Sequence, residues 1–139
     1  VTKKYLVYIG EPQAEIIDKG GSIFLAKVDN TIVGTCALIK IDEHTFEFAK
    51  MGIDDTMQGR QIGEKLVAKA IKTAKDAGAS QLELEMNTNF VYSIRLYRKF
   101  GFVISPFDAT PRYQRSNMLM KLNLSSIPTS TKNKGSFTF

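Results

Sequence analysis

The segment Gln58-Gly59-Arg60-Gln61-Ile62-Gly63 sets two glycines and a guanidinium directly ahead of an apolar repeat at helical spacing. That combination suits an anion. The first turn of a helix carries backbone N–H groups without intrahelical partners and the positive end of the helix dipole. Glycine lets the main chain come close to a ligand, and arginine adds a fixed charge with a fork of donors. Retention of a phosphate or pyrophosphate is the chemistry expected. The same pattern also serves a plain strand-to-helix connection whose glycines only make the turn. No Gly-Lys-Ser/Thr closes the segment and no Gly-x-Gly-x-x-Gly occurs, so triphosphatase and dinucleotide-binding loops are excluded.

Carriers of proton or metal chemistry are few. Glu47, Glu83 and Glu85 alternate with apolar residues, and each could take a proton directly or through a water; each also fits an ordinary exposed strand carboxylate. One cysteine, Cys36, and one histidine, His44, rule out an internal disulfide, a cysteine-cluster zinc site and a histidine-rich metal site, so no metal is expected. Cys36 stands in an apolar run and reads as a buried, inert thiol. His44 ends the turn Asp42-Glu43-His44 and reads as exposed. The net charge of +5 suits an anionic partner, or only a solvated basic surface. The basic residues are scattered, with no block of like charge, no recognition-helix signature and no aromatic-basic platform, so nucleic acid is not the expected partner.

The elements that must position these groups follow from periodicity. Tyr5 to Ile9 is apolar and fits a strand or a helix end. Pro12 to Asp18 predicts a short helix closed by Gly20-Gly21. Ser22 to Val28, Thr31 to Ile41 and Thr45 to Ile53 predict an antiparallel meander, turned at Asp29-Asn30 and Asp42 to His44. Alternation in the third of these puts Phe46, Phe48 and Lys50 on one face and Glu47, Ala49 and Met51 on the other. Ile62, Leu66, Ala70 and Ala74, with Val67 and Ile71, recur as in a helix that Gly78 stops. Gln81 to Met86 alternates again. Val91 to Phe100 is a second amphipathic helix ending at Gly101, and Phe102 to Ile104 and Asn117 to Leu124 are final strands. The stretch between those strands, with Pro106 and Pro111, reads as a loop. The composition, 43% hydrophobic and 24% charged over 139 residues, is that of one globular domain, with Ser125 to Phe139 as a mobile tail. Strand, helix, strand from Thr45 to Met86 implies one parallel pair in a mixed α/β sheet.

The stretch Ala49 to Leu66 resembles the acetyl-CoA signature of the GNAT superfamily: a Gln or Arg, two residues, a Gly, one residue, then Gly or Ala, after the fourth strand and opening the third helix. Gln58 and Gly63 match it; Gln61 stands where the family usually has glycine. Leu84 to Asn89 followed by Ser93-Ile94-Arg95-Leu96-Tyr97-Arg98-Lys99-Phe100-Gly101-Phe102 is similar to its fifth strand and fourth helix, with Phe100 for a common leucine and Ser93 for a frequent alanine. Tyr113 to Met120 is similar to its last strand. The resemblance runs from Gly20 to Leu124. It implies an α/β (α+β) fold with a mostly antiparallel sheet, flanked by helices and splayed between the fourth and fifth strands. The stretch before Ser22 is short for that family's opening strand and two helices. We therefore expect a single domain over 1–124 whose N-terminal elements are short, displaced or missing from a sequence that opens on Val1, and a tail over 125–139.

By the same resemblance the chain is expected to transfer an acetyl group from acetyl-CoA to a primary amine of a small molecule, peptide or protein. Backbone groups of Met51, Gly52 and Ile53 would meet the pantetheine arm and thioester, with Met51 or Ile53 N–H as oxyanion donor. Gln58, Gly59, Arg60, Gln61, Ile62, Gly63 and Glu64 would hold the pyrophosphate. Asn87 and Ser93 would lie along the pantetheine. Tyr97 matches the family's general acid toward sulfur. Glu47, placed by alternation on the face of Met51, is the base chosen, with Glu83 and Glu85 as alternatives. A non-catalytic acyl-CoA-binding sensor is the competing reading. A homodimer is an option the family leaves open. With no membrane-length apolar run and no signal peptide, a cytoplasmic protein is expected.

Overall fold

The computed structural model describes residues 6–9, 20–54 and 61–126. They form seven strands and two helices: β1 (Leu6–Ile9), β2 (Ser22–Val28), β3 (Thr31–Lys40), β4 (Thr45–Ile53), α1 (Ile62–Asp76), β5 (Gln81–Met86), α2 (Val91–Lys99), β6 (Val103–Ser105) and β7 (Met118–Asn123). One sheet takes them in the order β1-β2-β3-β4-β5-β7-β6. Only β4 and β5 run parallel, as the intervening helix requires. The helix expected over Pro12 to Asp18 and the loop residues Gln58, Gly59 and Arg60 lie outside the described residues. So does all of the expected tail but its first two residues, which belong to a 3-10 turn over Leu124–Ser126.

Local chemistry explains the boundaries. Asp29 and Asn30 both take positive φ, 52° and 70°, the two-residue turn whose twist matches paired antiparallel strands. α1 ends where Gly78 adopts φ 87°, with its N–H on the Lys75 carbonyl and that of Ala79 on Ala74. α1 packs across β2, β3 and β4. Leu66, Val67, Ala70 and Ala74 are fully buried there with Phe24, Ala26, Cys36 and Leu38. Each large side chain so buried contributes about 1.5–3 kcal/mol.

β4 does not keep one alternation. Its register runs Ala37↔Ala49 and then Thr35↔Gly52, which leaves both Lys50 and Met51 opposite Cys36. This bulge inserts one residue and exchanges the faces of everything after it. Phe46 and Phe48 face the helices before it, and Met51 and Ile53 do so after it. A Cβ on Gly63 of α1 would lie 3.2 Å from Ile53 Cδ1 and 3.4 Å from Met51 Cε. The expectation that Glu47 and Met51 share a face is therefore corrected: Glu47 and Ala49 face away from the helices, and Met51 faces them.

β4 and β5 pair over three positions only, Thr45↔Gln81, Phe46↔Leu82 and Glu47↔Glu83, and then part. β5 turns its other edge to β7 along its whole length. The splay expected between the fourth and fifth strands thus opens directly after Glu47.

Candidate active site

A cavity of about 250 Å³ fills the mouth of that split. Its walls are Glu47, Phe48 and Ala49 from β4, Glu85 and Met86 from β5, Asn87 and Phe90 after it, and Tyr113, Arg115 and Ser116 from the β6–β7 connection. Glu47 is the last β4 residue paired with β5, so its side chain stands at the fork. It is 2% exposed, and its Oε2 is buried without a hydrogen-bond partner. A buried carboxylate oxygen left unpaired is costly, so it marks a place where a ligand or a proton is taken up. Burial pushes the Glu47 carboxyl above the usual carboxylate range. Hydrogen bonding by Tyr113 and the charge of Arg112 pull it back, and Glu85 and Glu83 add to the rise.

The two other carboxylates proposed from sequence are on the same face but already engaged. Glu85 accepts the Arg112 N–H on both oxygens at 2.9 Å and the Tyr113 N–H at 3.2 Å. Glu83 pairs with the Arg112 guanidinium and accepts from Gln81 Nε2 at 3.2 Å. Both are held in place of water by the strap from 106 to 117, which β5 fastens along its length. Asn117 N–H reaches the Met86 carbonyl at 3.1 Å, and Asn117 Oδ1 accepts the Thr88 N–H at 2.9 Å. Asn87 lines the cavity with its amide committed, Nδ2 to the Arg115 carbonyl at 3.2 Å and Oδ1 to the Asn89 N–H at 2.9 Å.

Tyr97 stands on the opposite, helix-covered face. It is 5% exposed and packs edge-on against Phe48, with ring centroids 5.6 Å apart, and against Phe102 at 5.7 Å. Phe48 lines the cavity, so the Tyr97 ring is one side chain removed from it. Burial, and secondarily Cys36, raise the Tyr97 phenol above its ordinary value, so it stays protonated at neutral pH. Burial also pushes the Cys36 thiol up to about 12, the inert state expected of it.

At the start of α1, Gln61 is the N-cap and takes φ 64°, ψ 14° with no side-chain cap bond. Gln61 thus occupies the left-handed conformation that glycine takes without strain. Ile62 and Gly63 are buried, and the missing Cβ of Gly63 admits Leu96 of α2, whose Cδ2 would be 3.1 Å from it. Gly63 therefore also lets the two helices close up. Glu64 in the first turn forms an ion pair with Lys99 of α2, tying the helices together again. Gly52 faces Thr35, and Ser93 is partly buried on α2 outside the cavity wall.

Sequence reasoning missed Arg112, Tyr113, Arg115 and Phe90. The resemblance likens Tyr113 to Met120 to a last strand and alternation starts that strand at Asn117; 113–117 is turn and coil, and β7 begins at Met118. The available signal was a proline-bracketed loop carrying arginines next to a strand carrying alternate glutamates.

The acetyltransferase (GNAT) family model matches residues 3–102. The uncharacterized N-acetyltransferase YvbK of Bacillus subtilis is 27% identical over 106 residues, 74% of this chain and 68% of that protein. The IAA acetyltransferase of Azospirillum brasilense is 38% identical over 80 residues, 56% of this chain and 52% of that protein. Among solved structures, a GNAT acetyltransferase from Staphylococcus aureus Mu50 aligns with TM-score 0.74 at 27% identity, over 80% of this chain and 72% of that one. A Bacillus subtilis acetyltransferase in complex with CoA aligns with TM-score 0.70 at 21% identity, over 86% of this chain and 99% of that one.

Proposed function

Because this chain belongs to the acetyltransferase (GNAT) family, we propose that it moves an acetyl group from acetyl-CoA directly to a primary amine. The observation that carries the reading is Glu47: a buried carboxylate with an unpaired oxygen, in the wall of a cavity, at the point where β4 and β5 part.

The residues fit a pantetheine-bearing co-substrate. A split between two parallel strands gives an extended amide chain a place to pair as a strand does, along Met51, Gly52 and Ile53. Gln61 takes the left-handed backbone that a glycine would take there, which is compatible with Gln58 to Glu64 as the pyrophosphate cradle. Asn87 and Ser93 are assigned to the pantetheine side, Asn87 by its position in the cavity wall. Acetyl-CoA supplies an activated acyl group whose thiol leaves with a low proton demand. Glu47 takes the proton that an ammonium acceptor must lose before its nitrogen can attack, and its raised proton affinity suits that task near neutral pH. The Met51 or Ile53 N–H is assigned to the developing oxyanion. Tyr97 is assigned the proton that the sulfur gains; its phenol, held above the ordinary value by burial, stays protonated at neutral pH until the thiolate departs. The reaction balances: the ammonium gives its first proton to Glu47, which passes it to solvent; a C–N bond forms as the C–S bond breaks; Tyr97 protonates the departing sulfur, and the second proton lost by nitrogen restores the Tyr97 phenol.

A thiol-release assay with acetyl-CoA and a panel of primary amines tests this. Release dependent on an amine, with the acetylated product seen by mass spectrometry, is the expected result. A melting temperature raised by CoA with no release from any amine would instead support a coenzyme-binding sensor.

A further inference from the structure

Three residues with charged side chains line the cavity, and their partners are unequal. Glu85 is spent on the main chain of Arg112 and Tyr113, which fixes the strap rather than a ligand. Glu83, outside the wall, is spent on Arg112. What is left is the unpaired Oε2 of buried Glu47 and, in the wall, the exposed residue Arg115. Among the described residues the Arg115 side chain makes no ion pair or hydrogen bond; only its carbonyl is used, by Asn87. The rest of the wall is apolar or aromatic: Phe48, Met86, Phe90 and the ring of Tyr113.

A cavity with one carboxylate oxygen short of a partner, one cationic residue in its wall and apolar groups between them describes its occupant. Glu47 is buried and Arg115 is exposed, and no ion pair joins them as one joins Glu83 to Arg112 and another Lys121 to Asp108. The cluster of three carboxylates on this face suggests a polycationic acceptor at first sight, but two of the three are already neutralised or hydrogen-bonded from within. The volume of about 250 Å³ also favours a small molecule over a folded protein segment.

Resting on the acetyl-transfer reading above, we infer that the acceptor is a small zwitterionic primary amine: an amine joined through a short apolar segment to a carboxylate or phosphate, with Glu47 toward the amine and Arg115 toward the anion. The transfer itself balances as given above, and the anionic group takes no part in bond making. Arg115 is a specificity residue rather than a catalytic one.

The test uses matched amines in the thiol-release assay: amino acids against their amides, and aminoalkyl phosphates against the corresponding amino alcohols. A charge-assisted contact gives the anionic member of a pair a kcat/KM about 10- to 100-fold higher. Which pair shows the larger ratio tells carboxylate from phosphate. Arg115→Gln collapses that ratio by at least about tenfold and Arg115→Lys retains most of it, with the melting temperature of both variants reporting folding. Equal rates within every pair, or faster reaction of diamines and polyamines, overturn the inference while leaving acetyl transfer intact. A rise in the KM for acetyl-CoA in Arg115→Gln, with the ratio unchanged, also overturns it and assigns Arg115 to the coenzyme. No release from any amine removes the acetyl-transfer reading itself, and this inference with it.

Discussion

The two faces of the central sheet are built on opposite rules. On the helix-covered face, Phe24, Cys36, Leu38, Phe48 and Tyr97 are apolar or aromatic and packed in one cluster with α1. On the other face, β4 and β5 present Glu47, Glu83 and Glu85 to a strap of loop that binds two of them and leaves the third short of a partner. The first face makes the fold and the second leaves a polar group dissatisfied. Active sites commonly concentrate such unfavourable burial, because the cost is recovered when a substrate or proton arrives. Tyr97 and Tyr113 mark the contrast. Both phenols are raised by burial first, but Tyr97 sits among rings while Tyr113 leans on a carboxylate.

The division of labour is best broken at Glu47. Glu47→Gln is expected to lower kcat/KM by about 10²- to 10⁴-fold, as for loss of a general base. The same change should leave the melting temperature unchanged or raise it, since the amide removes a charge whose desolvation is costly. Steady-state kinetics and thermal melts on one preparation check both. A melt that falls as steeply as the rate would place Glu47 among the structural residues. Leu66→Ala on the other face is expected to do the reverse, losing about 2–5 kcal/mol in urea denaturation while kcat at saturating substrates stays near that of the parent protein.

Tyr97 sharpens the comparison, because its face is otherwise structural. Tyr97→Phe should lower kcat by about 10- to 100-fold, toward the small end because a thiol of pKa near 8.5 leaves readily. An unchanged kcat at saturation would confine the chemistry to the strap side. Arg112 probes the electrostatics of that side. The Glu47 carboxyl is raised in the folded chain, so the native state holds its proton to higher pH than the unfolded chain does. Stability therefore falls as pH climbs from the ordinary carboxylate range through the raised value, and activity grows over the same window. Arg112 opposes the rise. Arg112→Gln should move to higher pH that limb of the kcat/KM profile which Glu47→Gln abolishes. A limb that stays in place would mean Arg112 does not act on Glu47. The smallest effect is expected at the start of α1, where Gln61→Gly relieves a left-handed backbone but loosens the unfolded chain; the two nearly cancel, leaving a gain under about 1 kcal/mol in chemical denaturation.

Much of the sheet was legible because its signals are local. Period-two runs, the Asp29-Asn30 turn and Gly78 each declare themselves within a few residues, and the parallel β4–β5 pair follows from the helix between them. The bulge was not legible. One extra residue at Lys50 and Met51 leaves no mark in composition, yet it decides that Glu47 and Met51 face opposite ways. The helix boundary at Lys99 and the late start of β7 differ from the reading by amounts that end effects explain. The carboxylates of β5 looked like solvent-facing residues, because their partners, Arg112 and the amides of Arg112 and Tyr113, come from 27 to 29 positions away in sequence. Residue periodicity cannot report such long-range pairing. The cavity wall built by Tyr113, Arg115 and Ser116 was hidden for the same reason.

The bulge in β4 also separates two sets of constraints. A strand with one unbroken phase couples every second position, so a change of size or charge at one is felt by its neighbours on that surface. The phase jump at Lys50 and Met51 uncouples the strand into two independent halves. The half ending at Ala49 lines the cavity, while the half starting at Met51 is held by the packing around Gly63. Nine consecutive residues of a single strand thus answer to two different surroundings.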